Sequence, residues 1–293
     1  MKDLELEEAL RIARLAGERI RAVYATPFTV ELKGPGDPVT RADREANELI
    51  CSALAASFPG DAILAEESVP ESPAEVGRLA SSPRVWFVDP LDGTREFADR
   101  NGEFAVMIGL ACAGRPVLGV VLMPVSGEAI AGRAGSPVTM GGDPPYPPAQ
   151  PAPVAFAEDE SGARRPLSVS AVRDPREATL MVSRSHRPAL LDPLIGRLGI
   201  TRVVPCGSVG VKVAKLVLGP GDLYVHAGLG AKRWDTCAPE AVLEAAGGRF
   251  TDLAGAPIDY ASPDLALRNG LVASNGPLHE AVVEAVAAVR DPT

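Results

Sequence analysis

Several things are scarce in this chain of 293 residues, and each scarcity removes a class of explanation. Histidine occurs three times (His186, His226, His279) and cysteine four times (Cys51, Cys112, Cys206, Cys237), all widely spaced. No C-x-x-C pair is present, so neither a zinc ribbon nor a thiol redox motif is expected, and reduced thiols are the default. No apolar run reaches the length that spans a bilayer. The opening Met1-Lys2-Asp3-Leu4-Glu5 lacks the basic and apolar regions of a signal peptide, and a cytoplasmic protein is expected. Positive charge is in the minority: the formal net charge is -9, which argues against a nucleic-acid polymer as partner. Only five of the 29 basic residues are lysines, which reads as a coding bias toward arginine. No G-x-x-x-x-G-K-[ST] segment occurs, so a P-loop protein is excluded.

What the chain does have is a hydrophobic fraction of 46%, ample for a globular core. Helical spacing of Leu6, Leu10, Ala13, Ala16, Ile20 and Val23 predicts an amphipathic helix over 4–24. A Gly/Pro-rich turn (Lys33 to Pro38) precedes a second helix over about 41–58, with Thr40 as its N-cap. Ala62 to Ala65, Val85 to Val88, Glu103 to Ala111 and Arg115 to Met123 read as strands, the last two as an antiparallel hairpin. From about Ser136 to Arg165 the texture turns proline-rich and then acidic, which reads as an excursion or a join between lobes. Beyond it strands and helices alternate, as in an α/β lobe. The expected division is therefore an N-terminal α+β lobe (1–135), an insertion or linker (136–165) and a C-terminal α/β lobe (166–293).

Carboxylates recur at the ends of these apolar elements. Glu66 ends one strand. Asp89 and Asp92 end another in Asp89-Pro90-Leu91-Asp92-Gly93-Thr94, Asp43 opens a helix, and Asp235 opens a later one. Each has a plain local reading: a strand-ending turn, a charged loop, a helix-terminus acid. Together they form a set of five acids without a comparable set of bases. Oxygen-only clusters select hard cations such as Mg²⁺, and paired ions support phosphoryl transfer to water. Gly93 allows close approach of a ligand, and the N–H groups after it suit a phosphate.

The segments Ala65-Glu66-Glu67-Ser68, Asp89 to Thr94 and Trp234-Asp235-Thr236-Cys237-Ala238-Pro239-Glu240 resemble, in order, the signatures of the inositol monophosphatase superfamily of Mg²⁺-dependent, lithium-sensitive phosphatases. That resemblance implies a layered α-β-α-β-α sandwich, of mixed α+β and α/β character. Thr94-Arg95-Glu96-Phe97 through Arg100-Asn101-Gly102-Glu103-Phe104, with Ser183-Arg184-Ser185-His186, is similar to the bacterial 3′(2′),5′-bisphosphate nucleotidases. Those enzymes act on adenosine 3′,5′-bisphosphate, a by-product of sulfate assimilation. Carried over by motif, Glu66, Asp89 and the Leu91 carbonyl are implied to hold one Mg²⁺, and Asp89, Asp92 and Asp235 a second, giving two or three ions in all, with Asp43 acting directly or through a third ion or a water. Thr94, Asp43 and Glu66 are the implied catalytic residues. Gly93 and Thr94, beside Asp92 and Asp235, are implied to bind the scissile phosphate, and Ser185, His186, Ser208 and Lys212 the rest of a nucleotide. The family alternatives are an inositol monophosphatase or a fructose-1,6-bisphosphatase-type enzyme, and outside enzymes a nucleotide-phosphate sensor. Two departures concern substrate identity: Ala131-Gly132-Arg133-Ala134-Gly135 replaces an aromatic-containing segment, and His226 stands where some relatives place arginine. The chain is expected to act as a monomer or homodimer, away from membranes.

Overall fold

The structure is a computed structural model describing residues 3–34, 36–135, 153–185, 187–228 and 230–290. His186 and the prolines of 136–152 lie outside the described residues.

Helix α1 (Leu4–Tyr24) starts where the Asp3 carboxylate accepts the Leu6 N–H, and the stripe read from its spacing is the face it buries. A hairpin of β1 (Val30–Gly34) and β2 (Asp37–Thr40) stands apart from the larger sheets and leads into α2 (Arg41–Ser57). A seven-stranded sheet follows: β3 (Ala62–Ala65), β4 (Arg84–Asp92), β5 (Ala105–Cys112), β6 (Arg115–Met123), β7 (Glu128–Arg133), β8 (Val154–Glu158) and β9 (Arg164–Pro166), in that order. Short helices α3 (Pro73–Ala80) and α4 (Thr94–Ala98) flank β4. In β4 the alternation is plain: Trp86 and Val88 pack against α1 and α2, whereas Val85 and Phe87 face the other side. Both faces of the sheet are covered, so its strands read as unbroken apolar runs.

The second sheet has strand order β11-β10-β12-β14-β13, from β10 (Thr179–Ser183), β11 (Arg202–Cys206), β12 (Leu223–His226), β13 (Arg249–Thr251) and β14 (Leu271–Ser274). Helix α5 (Leu191–Leu198) and helix α8 (His279–Arg290) cover its outer face through Leu191, Leu194, Val282 and Val286. Helices α6 (Val209–Leu218) and α7 (Cys237–Ala245) lie between the two sheets, sharing one core with Met107 and Val121 on one side and Met181 and Tyr224 on the other. The layers thus run α-β-α-β-α, as the resemblance implies. Helix α7 sits unusually close to the first sheet: a Cβ on Gly119 would fall 2.2 Å from the Ala238 carbonyl oxygen.

One expectation needs correction. The stretch taken as an insertion through Arg165 supplies β8 and β9, with Ala155, Phe156 and Ala157 buried. The run Val154-Ala155-Phe156-Ala157 is a short strand whose signal is masked by the prolines before it and the acids after it. The two halves share a core, because α7 from the second half closes the first sheet. Among the described residues no helix is long and apolar enough to cross a membrane.

Candidate active site

Strands β3 and β4 run parallel with Ala65 opposite Val88, so their C-terminal ends deliver Glu66 and Asp89 to the same edge of the sheet. Beyond Asp89 the pairing with β5 slips: Asp89 faces Met107 but Asp92 faces Ala105, three residues against two. This bulge at Pro90-Leu91 turns the chain out of the ladder. The Leu91 N–H donates to Asp89 Oδ1 at 2.9 Å, and the Leu91 side chain is buried, leaving its carbonyl as the useful group. Gly93 then takes φ +97 and opens α4; a Cβ there would lie 3.1 Å from the Glu103 carbonyl oxygen.

Asp43 caps helix α2 and also reaches Thr94. Its Oδ2 accepts the Thr40 N–H at 2.8 Å and the Thr40 hydroxyl at 2.6 Å in a capping box, while Oδ1 accepts the Thr94 hydroxyl at 2.8 Å. Burial pushes its carboxyl upward and these hydroxyls partly offset the push. Asp235 is not a helix cap. Helix α7 begins at Cys237 with Thr236 at the cap position, and the Asp235 side chain folds back to accept the Lys232 N–H at 2.7 Å.

The electrostatics join four of the acids. Asp89 is buried, and its carboxyl is pushed well above the carboxylate range by burial and then by Glu66, Asp92 and Asp235. Asp235 is pushed up by burial, Asp92 and Glu66. Burial also raises Asp92, against the Ser208 hydroxyl and Lys212, and raises Glu66 against Lys33. Each acid therefore lies within the field of others, the arrangement that is costly without a cation. Among the described residues no three acidic, histidine or cysteine side chains close on one point as a formed metal cage. The carboxylates are instead turned to protein donors: Glu66 Oε1 lies 2.6 Å from Lys33 Nζ, and Asp92 Oδ2 accepts the Gly210 N–H at 2.7 Å and the Ser208 hydroxyl.

A cavity of about 460 Å³ opens beside these acids, lined by Asp92, Gly93, Asp235, Ser185, Ser208 and Lys212, all singled out from the sequence. It also presents Glu96, Tyr224 and His226, of which Glu96 and Tyr224 carry no sequence-level assignment. Lys212 is buried, with Nζ 5.0 Å from the Tyr224 ring centroid, and burial lowers its pKa against the pull of Asp92. Glu66, Asp89, Asp43 and Thr94 lie at the edge where β3, β4 and α2 converge and are not part of that lining.

Lys33 is the residue the sequence reading missed. The hairpin of β1 and β2 carries it to Glu66 and to Glu67, 2.5 Å from Glu67 Oε1, so the acids do have a basic neighbour. A signal existed: lysine is rare here, and Lys33, Lys212, Lys215 and Lys232 all attach to the site or its rim, through Glu66, Asp92, Glu103 and Asp235 respectively. Reading the scarcity as coding bias alone hid this.

A family model described as the inositol monophosphatase family matches residues 2–291. Among curated proteins, 3′(2′),5′-bisphosphate nucleotidase CysQ of Escherichia coli (strain K12) is 35% identical over 267 residues, covering 90% of this chain and 97% of the relative. The 3′(2′),5′-bisphosphate nucleotidase 1 of Homo sapiens is 30% identical over 280 residues, covering 86% and 84%. Among solved structures, CysQ from Bacteroides thetaiotaomicron superposes with TM-score 0.69 at 28% identity, covering 92% of this chain and 97% of that one. The extragenic suppressor protein suhB from Bartonella henselae superposes with TM-score 0.74 at 25% identity, covering 97% and 98%.

Proposed function

The chain belongs to the inositol monophosphatase family and is a phosphoric monoester hydrolase, and on that premise we propose that it removes the 3′-phosphate of adenosine 3′,5′-bisphosphate in a Mg²⁺-dependent reaction, releasing AMP and phosphate. The observation that carries this reading is the set of four mutually repelling carboxylates beside a cavity with a buried lysine. The nucleotidase relatives support the choice of substrate over inositol phosphate or fructose bisphosphate. Sulfur metabolism in the cytoplasm is the expected setting, in keeping with four free cysteines.

The donor set fits a hard cation: carboxylate oxygens of Glu66, Asp89, Asp92 and Asp235 and the carbonyl of Leu91, with no nitrogen or sulfur ligand among them. These residues would hold two or three ions. Bound Mg²⁺ supplies charge neutralisation of the phosphate and activation of water. The chain's own part is positioning. Asp43, fixed by Thr40, orients the Thr94 hydroxyl, which would take a proton from the attacking water on Oγ and pass its own proton to Asp43 Oδ1. The Gly93 and Thr94 N–H groups receive phosphate oxygens. Lys212 and Ser185 face the nucleotide and its second phosphate, with His186 assigned by motif alone. Ser208 lines the same cavity, though its hydroxyl already serves Asp92.

Phosphate release from adenosine 3′,5′-bisphosphate, inositol 1-phosphate and fructose 1,6-bisphosphate, with Mg²⁺ and with added lithium, tests the proposal. The bisphosphate nucleotide should turn over fastest, only with Mg²⁺, and lithium should inhibit. Faster turnover of inositol phosphate would overturn the substrate assignment.

A further inference from the structure

We propose that Glu103 is a positioning residue for this site: its carboxylate pins the Gly207-Ser208 turn against the end of β4 and, through Ser208, sets the orientation of Asp92. The inference rests on the reading of Asp92 as a cation ligand.

Glu103 lies in the loop between α4 and β5, where the Asn101 side chain accepts its N–H at 2.9 Å. Its Oε2 accepts the Gly207 N–H at 2.7 Å and the Arg184 guanidinium at 2.8 Å, and its Oε1 lies 3.7 Å from Lys215 Nζ. Those donors come from the turn before α6, from the end of β10 and from α6 itself. A single carboxylate thus ties the metal-side loop of the first sheet to the segments that form the far wall of the cavity.

The turn it pins is strained. Ser208 adopts φ 54 and ψ 141, a conformation that L-residues other than glycine rarely enter and keep only when neighbours impose it. Gly207 is pressed onto the same floor: a Cβ there would fall 2.2 Å from Glu96 Cγ and 2.9 Å from the Glu103 carbonyl oxygen. What the strain achieves is visible at Asp92. The Ser208 hydroxyl donates to Asp92 Oδ2, the Gly210 N–H donates to the same oxygen at 2.7 Å, and the Val211 N–H holds Ser208 Oγ at 3.1 Å. Without the Glu103 carboxylate the Gly207 N–H loses its acceptor and Ser208 can relax to negative φ. The donors that fix Asp92 then move with it.

This is not a stability role. The Glu103 side chain is 20% exposed and Arg184 is 45% exposed, so removing the carboxylate opens no core cavity. Loss of a group that orients a metal ligand costs about 10- to 100-fold in metal affinity.

The test is calorimetric titration of the metal-free full chain with Mg²⁺, together with steady-state kinetics and thermal melting, for wild type, Glu103→Ala, Glu103→Gln and Arg184→Ala. Glu103→Ala should bind Mg²⁺ about 10- to 100-fold more weakly and lose kcat in proportion, with a melting temperature near that of wild type. Glu103→Gln keeps an acceptor for the Gly207 N–H and should recover most of the affinity. Arg184→Ala should leave Mg²⁺ affinity unchanged. Wild-type affinity in Glu103→Ala, or no recovery in Glu103→Gln, would overturn the inference. Wild type that does not bind Mg²⁺ would overturn it together with the reading of the site, which keeps the two failures apart.

Discussion

Acids stand at the ends of core strands in two kinds of surroundings, and the difference between them sets the candidate site apart. Asp61, just before β3, accepts two guanidinium N–H groups of Arg84 at 2.7 and 3.0 Å and the Trp86 indole N–H at 2.8 Å. Asp222, just before β12, accepts the Thr179 N–H at 2.8 Å and the Ser170 hydroxyl. Glu158 at the end of β8 is held between Arg14 at 2.8 Å and Arg164 at 2.6 Å. These acids are matched by donors and fasten one element to another. At the other end of β3 and β4 the acids face one another. Asp89 is pushed upward by Glu66, Asp92 and Asp235 in addition to burial, and the lysines nearby reach Glu66 and Asp92 rather than Asp89. A fold tolerates such repulsion where a ligand relieves it.

Breaking the comparison at its unmatched end should have the largest effect. Asp89→Asn should reduce Mg²⁺-dependent phosphate release by on the order of 10³-fold, about 4 kcal/mol of barrier, because an anionic group proposed to hold the cation is removed. Initial rates at saturating substrate measure it, and a loss below tenfold would remove Asp89 from the centre of the site. At the matched end the effect should move from activity to stability. Asp61→Ala strands the Arg84 guanidinium and the Trp86 N–H, and should cost about 3 kcal/mol of unfolding free energy by denaturant titration. Its kcat per folded molecule should stay at the wild-type value.

The last effect, present only at acid pH, concerns a buried titratable base and sharpens what matching means. His279 sits between the Thr251 and Ser274 hydroxyls, each at 2.9 Å, and burial, with Arg249 nearby, lowers its pKa to about 4. The unfolded chain takes up this proton near pH 6.5 and the folded one only near 4. Stability is therefore intact above the unfolded pKa and is lost as pH falls through that window, by up to roughly 3 kcal/mol. His279→Gln should flatten this acid limb in melting curves from pH 7 to pH 4. An unchanged slope would assign the acid loss to other groups.

Much of this was legible in the chain because periodicity reports burial. The stripe of α1 and the hairpin of β5 and β6 follow from spacing and turn residues. The middle layer was not legible, since apolar spacing in α7 states that a helix is buried and not which sheet it serves. Strand β8 was hidden by composition. The site was legible as a set and not residue by residue. Asp61 and Asp89 both flank apolar strands, and only the fold reveals that Arg84 reaches one of them. Asp235 looks like a cap and is not one, because the preceding loop turns its carboxylate back to Lys232. Lys33 and Glu103 act across 33 and 104 residues of chain, to Glu66 and Gly207, and local spacing does not name such partners.

The central claim is that the acids at the ends of β3 and β4 are held together at a cost that a divalent cation removes. Thermal melting of wild type and Asp89→Asn, each metal-free and at millimolar Mg²⁺, tests it most directly. Metal-free Asp89→Asn should melt above metal-free wild type, Mg²⁺ should raise the wild-type midpoint through binding to the folded state, and the variant should respond little. Metal-free wild type melting as high as the variant, with no response to Mg²⁺, would contradict the account.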